Sequence, residues 1–242
     1  MKPTVNITKL SGPAEEAYKV LWANLCFLGF NKVIKIVSVT SYGPNEGKST
    51  TSFNLAKYAA GTGLKVLYVD ADIRKPMLMK HLKSLGFNGL SNYLMGHTTD
   101  ADEIIYSTEL DGFFCVPSGA KPSDPVSLLN SDRFDSFLET VWQEFDMVVI
   151  DTPPLGSVID SSIVAAKTDG VLIVIRPNSV KHKNALMVKE QLDKSGANIL
   201  GVVLNDVDQK SYRNFYANYD YYGVKRKYAK SWVKNLTAGK RS

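Results

Sequence analysis

The chain has 242 residues, 44% of them hydrophobic and 22% charged, which suits one sizeable α/β domain and excludes a disordered chain. No apolar run reaches bilayer length, and the start, Met1-Lys2-Pro3-Thr4-Val5-Asn6, lacks an apolar signal core, so the chain is expected to stay in the cytoplasm. The net charge of +5 is uneven: after Ser211 eight cations face Asp220, giving that end +7 and leaving the body at −2. The basic character therefore belongs to the tail and not to a nucleic-acid-binding face of the fold. Cys26 and Cys115 are far apart and form no metal or redox motif, so both are expected to be buried thiols.

Residues 14–27 read as a helix, with Tyr18, Leu21, Leu25 and Leu28 spaced along one face. This helix is expected to pack against the outside of the domain or against another subunit. Residues 33–39 form an apolar strand and residues 51–60 a helix, ended by Gly61-Thr62-Gly63. The next strand, 65–69, runs into Asp70-Ala71-Asp72-Ile73-Arg74-Lys75-Pro76. A short helix and a Gly-rich turn follow around 86–89, then a helical stretch at 102–105 and a third strand at 112–117. Lys121-Pro122-Ser123-Asp124-Pro125 reads as a loop, and 132–144 as a helix capped by Ser131 or Asp132. A strand at 147–150 opens onto Asp151-Thr152-Pro153-Pro154. After it come a helix at 161–167, a strand at 171–175, a helix at 184–195 and a last strand at 199–204. Strands that alternate with helices and read as continuous Val/Ile/Leu runs predict an α/β fold: a parallel β-sheet with helices on both faces.

Between the first strand and its helix lies Tyr42-Gly43-Pro44-Asn45-Glu46-Gly47-Lys48-Ser49-Thr50. A strand, a tight loop and a helix N-terminus build a phosphate site: backbone N–H groups and the helix dipole face the anion. Lys48 reaches the β- and γ-phosphates in such a P-loop and the Ser49 hydroxyl holds Mg²⁺. The strict pattern wants Gly where Tyr42 stands; Gly43 follows at once, and Asn45 tolerates a left-handed backbone. Asp151, closing a strand, suits Mg²⁺ held through water. Asp70 and Asp72, also at a strand end, can divide metal binding and proton acceptance between them, and Arg74 and Lys75 can neutralise phosphate charge. All these positions fall at the carboxyl ends of strands, where such sheets bind ligands.

Four features together resemble the bacterial tyrosine kinases of capsule and exopolysaccharide synthesis. They are Gly47-Lys48-Ser49-Thr50, the run from Val69 to Pro76, Val149-Ile150-Asp151-Thr152-Pro153-Pro154, and the cluster Tyr212, Tyr216, Tyr219, Tyr221, Tyr222 and Tyr228. The resemblance spans Glu16 to Tyr228. It implies that ATP and Mg²⁺ bind at Gly43, Pro44, Asn45, Glu46, Gly47, Lys48, Ser49 and Thr50, and that the γ-phosphoryl passes to tail tyrosines of a neighbouring subunit. It makes Lys48 the phosphate clamp, Ser49 a direct metal ligand, and Asp70, Asp72 and Asp151 the acidic set around the metal. It favours Asp70 as the base, although the residues themselves leave the order of Asp70 and Asp72 open. It further implies the subtype that is a separate cytoplasmic polypeptide, recruited to the inner face of the membrane by a membrane-embedded activator and opposed by a tyrosine phosphatase. Two departures stand out. Asn45 replaces a frequent Gly. The ring-forming Glu-x-x-Arg-x-x-Arg of the first helix is Glu16, Lys19 and Trp22 here, which weakens that contact.

The expected organisation is an N-terminal helical segment at 1–30 able to self-associate, a P-loop kinase domain at 31–207, and a basic, mobile tyrosine-rich tail at 208–242. One rival is a partition or division-site ATPase switch of the same fold. Such proteins place a second Lys after the loop's first Gly, and here Gly43-Pro44-Asn45 has none. The other rival is a non-catalytic nucleotide-binding adaptor. For the tail, the competing reading is nucleic-acid binding through stacked Tyr and basic residues.

Overall fold

The computed structural model describes residues 10, 12–29, 32–76 and 88–207. The chain divides into two units, Met1–Asn205 and Asp206–Ser242, and of the second only Asp206 and Val207 are described. The tail tyrosines lie outside the described residues, as does most of the stretch expected to hold a short helix and turn up to Gly89.

In chain order the elements are α1 (Gly12–Leu28), β1 (Ile36–Ser41), α2 (Lys48–Gly61), β2 (Val66–Asp70), α3 (Leu90–Leu94), a 3₁₀ turn (Ala101–Ile104), β3 (Tyr106–Ser107), β4 (Phe113–Val116), α4 (Pro125–Leu129), α5 (Asp132–Glu144), β5 (Met147–Asp151), α6 (Asp160–Ala166), β6 (Gly170–Ile175), α7 (His182–Lys194) and β7 (Ile199–Leu204). They build one seven-stranded sheet in the order β3-β4-β2-β5-β1-β6-β7. Every pairing is parallel except β3 with β4. All residues of β1, β2 and β5 are buried, so β2 and β5 are apolar up to their terminal Asp, and the buried hydroxyls of Ser38, Thr40 and Ser41 in β1 donate to the carbonyls of Gly170, Pro153 and Gly43. One core packs Leu67, Val69, Val148 and Ile150 against Phe134 and Phe137 of α5. A second packs Val171 and Ile173 against Val188 and Leu192 of α7.

Several boundaries differ from the sequence expectation for physical reasons. The first strand starts at Ile36 and not at residue 33, because its ladder with β5 begins at Ile36↔Val148. Just before it the Asp169 carboxylate takes the N–H groups of Lys35 and Ile36, at 2.9 and 2.8 Å. Residues 112–117 hold the fourth strand, not the third, since the two-residue β3 precedes them; a run that short carries no period. The stretch read as a loop up to Pro125 ends in a helix start: the Asp124 carboxylate accepts from the Ser127 N–H at 3.2 Å and Pro125 opens α4. Ser131 precedes α5 but does not cap it with its side chain; its hydroxyl donates back to the Leu128 carbonyl at 2.7 Å.

Within α1 only Leu25 is fully buried and Leu28 is exposed. The helix rests on α2, where the Tyr18 hydroxyl donates to the Thr50 carbonyl at 3.4 Å and accepts from Asn54 Nδ2 at 3.5 Å. Of the two thiols, Cys115 is buried and Cys26 half-buried. Burial pushes them up to about 12 and about 11, so both stay protonated and unreactive near neutrality. Among the described residues no helix is long and apolar enough to cross a membrane.

Candidate active site

The registers Val39↔Asp151 and Asp70↔Asp151 bring the carboxyl ends of β1, β2 and β5 level. Between β1 and α2 the loop turns through two left-handed positions, Asn45 at φ 64° and Gly47 at φ 91°. Tyr42 is not one of them, which explains why that position does without glycine. Its N–H donates to the Glu46 carboxylate at 3.1 Å. Glu46 also accepts from the Ser179 hydroxyl at 3.2 Å, and burial pushes its carboxyl up. The Glu46 side chain thus braces the loop from the protein side. Its carbonyl accepts from Asn205 Nδ2 at 2.9 Å, so the residue after β7 closes the loop from the other end of the chain. A Cβ on Gly47 would meet Asn205 Nδ2 at 1.9 Å.

Gly47 caps α2 without a side-chain hydrogen bond, and the first intrahelical bond runs from Thr51 N–H to Gly47 C=O at 2.8 Å. The preceding N–H groups of that helix start have no intrahelical partner, the arrangement that receives a phosphate. The Lys48 ammonium lies 3.1 Å from Ser49 Oγ, 3.3 Å from Asp72 Oδ2 and 3.4 Å from Asp151 Oδ2. Burial pulls the Lys48 ammonium down, but Asp151, Asp72 and Asp70 together outweigh it and hold it above the ordinary lysine value. Asp151 is fully buried; burial raises its carboxyl, and Lys48 offsets part of that rise. Asp70 Oδ1 accepts the Asp72 N–H at 3.2 Å, and Asp72 Oδ1 accepts the Lys75 N–H at 3.0 Å. The structure therefore brings Lys48, Ser49, Asp70, Asp72 and Asp151 together. Arg74 instead turns to Asp160, Nε to Oδ2 at 2.7 Å and Nη2 to Oδ1 at 3.0 Å.

Asp160, Asn205 and Ser179 were not legible as site residues. Asp160 and Ser179 carry no motif, and only its position at a strand end marks Asn205. The segment after Asp151 is fixed by two hydroxyls on the Pro153 carbonyl, those of Thr40 and Ser161. A groove of about 570 Å³ between α7 and the β6–β7 edge shares only Tyr42 with this region, so it is not the phosphate site.

Among the described residues no three carboxylates, imidazoles or thiolates converge as a ready-made metal cage. Mg²⁺ in nucleotide sites keeps several waters and takes one or two carboxylates plus substrate phosphates. The donor set fits that mode: Ser49 supplies a hydroxyl, and Asp151 Oδ1 is a buried acceptor with no hydrogen-bond partner.

A mostly parallel sheet with a glycine-lysine-serine turn after the interior strand β1 and carboxylates at the ends of β5 and β2 defines a P-loop nucleotide-binding protein. A family model described as an AAA domain matches residues 34–199. The tyrosine-protein kinase CpsD of Streptococcus agalactiae is 38% identical over 210 residues, which are 86% of this chain and 90% of that one. The tyrosine-protein kinase YwqD of Bacillus subtilis is 32% identical over 212 residues, 87% of this chain and 86% of its own. The kinase domain of the Escherichia coli tyrosine kinase ETK superposes with a TM-score of 0.76 at 31% identity, over 81% of this chain and 77% of that one. The chain belongs to the family of bacterial tyrosine-protein kinases.

Proposed function

We propose that this kinase transfers the γ-phosphoryl of ATP to tyrosines in the tail of a neighbouring copy, among Tyr212, Tyr216, Tyr219, Tyr221, Tyr222 and Tyr228. The observation that carries the reading is the Lys48 ammonium set between Asp72 and Asp151 at the carboxyl ends of β1, β2 and β5. The loop from Gly43 to Thr50 wraps the phosphates with its N–H groups, and Lys48 turns from the carboxylates to the β- and γ-oxygens. Ser49 and the acidic set of Asp70, Asp72 and Asp151 would hold Mg²⁺, in part through water, and the ion would neutralise charge on the phosphates. The tyrosine oxygen forms its bond to the γ-phosphorus as the bond to the bridging oxygen breaks and ADP leaves. The phenolic proton passes to a carboxylate, for which Asp70 is the assigned base.

By the same reading the kinase serves capsule or exopolysaccharide synthesis and export. A membrane-embedded activator holds it at the inner membrane face, copies associate through the tail and the N-terminal helix, and a tyrosine phosphatase reverses the modification. The domain limits 1–30, 31–207 and 208–242 belong to this proposal. A partition-type switch is disfavoured by the absence of lysine from Gly43-Pro44-Asn45.

The test is incubation with ATP and Mg²⁺ followed by intact-mass measurement with and without phosphatase. Increments of one phosphate each, removed by phosphatase and mapped to tail tyrosines, are expected. Nucleotide binding and hydrolysis with no phosphotyrosine, even after an activator segment is added, would overturn the reading.

A further inference from the structure

Arg74 stands two residues beyond Asp72, and its guanidinium turns to Asp160. Its guanidinium closes as a fork on Asp160, with both bonds at 2.7 and 3.0 Å. Asp160 is fully buried at the first position of α6, while the Arg74 side chain is 37% exposed. This is the bidentate geometry for which lysine is no substitute.

The pair joins the turn after β2, which carries Asp72, to the start of α6, beyond the segment that follows Asp151. The turn after β2 is rooted by the Ala71 N–H on the Asp151 carbonyl at 2.8 Å and by the Asp72 N–H on Asp70 Oδ1 at 3.2 Å. Its far end is held by Arg74. Asp72 lies between these anchors, with Oδ1 taken by the Lys75 N–H and Oδ2 turned to Lys48. If Arg74 were free, the turn would lose its tie to α6 and would be held by its root, by the buried Ile73 side chain and by the bonds of Asp72 to Lys75 and Lys48.

We propose that Asp160 is a positioning residue for Asp72, acting through the Arg74 fork and locking the turn after β2 to the segment after β5. Asp160 itself touches neither nucleotide nor acceptor tyrosine. The inference rests on the reading of Asp72 as a carboxylate of the kinase site.

The test uses the full-length kinase and follows tyrosine phosphorylation against ATP concentration. Asp160→Asn is expected to lower kcat roughly 10- to 100-fold, the loss that follows a small misplacement of a catalytic group. KM for ATP should stay within about twofold, because the phosphate loop is braced independently by Glu46 and Asn205. Arg74→Lys keeps the charge but loses the fork; it should show the same fall in kcat with little change in Tm, and it carries the test if Asp160→Asn fails to fold. In an Asp72→Asn background neither substitution should lower kcat further. Wild-type kcat in Arg74→Lys would overturn the inference, as would falls that multiply with that of Asp72→Asn. Asp72→Asn alone reports on the underlying site: unchanged turnover there overturns the site reading itself.

Discussion

Lys48 has two roles that the structure makes inseparable. It is the phosphate clamp of the proposed reaction and the counter-charge for Asp151, which is fully buried. Lys48→Met should cut phosphoryl transfer by more than about 100-fold, since a charge aimed at the transferred group is lost. It should also change stability in a pH-dependent way. The folded Asp151 carboxyl lies above its unfolded value, so its contribution is full below the unfolded value and is lost as pH rises through the folded one. Removing Lys48 removes the offset and pushes Asp151 higher still. The stability deficit of Lys48→Met against wild type should therefore be smaller at a pH near the ordinary carboxylate value than at one well above it. Urea midpoints at the two pH values measure this; a deficit independent of pH would show that Asp151 does not titrate against Lys48.

At the level of elements, the phosphate loop owes its shape to two left-handed residues and two braces. Helices usually begin with a side-chain cap, but α2 begins at a bare glycine, and a capping carboxylate there would repel phosphate. Gly47→Ala forces a Cβ into a left-handed residue, at about 1–2 kcal/mol, and drives it against Asn205. KM for ATP should rise at least about tenfold, the factor that 1.4 kcal/mol represents. Asn45→Gly keeps the same backbone and should leave stability within about 0.5 kcal/mol and ATP affinity nearly unchanged. Equal effects of the two substitutions in isothermal titration would refute the assignment of strain to Gly47.

At the scale of the molecule, charge and association belong together. The body carries −2 and the end after Ser211 +7, so in the proposed reaction an unmodified tail should be attracted to a site lined by carboxylates and ATP. Each phosphotyrosine adds roughly −1.5 to −2; about four cancel the tail's charge, and further ones make it repelled, an effect damped by salt. Mixing a Lys48→Met chain that has its tail with an active chain ending at Ser211 should place phosphate on the inactive chain's tail. Labelling confined to full-length active chains, at a rate independent of concentration, would show transfer within one chain. Activation belongs at this scale too. Glu16 and Lys19 are exposed and pair with each other at 2.8 Å, an interaction worth little in water, and leave no fork for a neighbour. The isolated chain should therefore phosphorylate slowly, and a cytoplasmic activator segment should raise both the rate and the molecular mass in light scattering. Full activity as a dilute monomer would exclude that role.

The sequence by itself determined the sheet class and marked most of the candidate site. A buried parallel strand favours apolar residues on both faces, and a phosphate loop needs its glycine, lysine and hydroxyl at fixed spacing, so β2, β5 and the residues 43–50 announce themselves locally. It also showed that Asn45 tolerates the left-handed region, which the structure gives it. Tertiary structure decided what depends on partners distant in sequence. Residues 199–204 read like the buried strands, yet β7 lies at the sheet edge and exposes Val202 and Leu204, since apolarity does not encode strand order. Arg74 reads as a phosphate neutraliser, but the fold presents it with the carboxylate of Asp160. Asn205 reaches the loop only because β7 runs parallel to β6 and ends beside it. The Asn205 contact joins the end of β7 to the loop after β1 and the Arg74 contact joins the turn after β2 to the start of α6, and both depend on strand order and registry, which the packing of the whole sheet fixes.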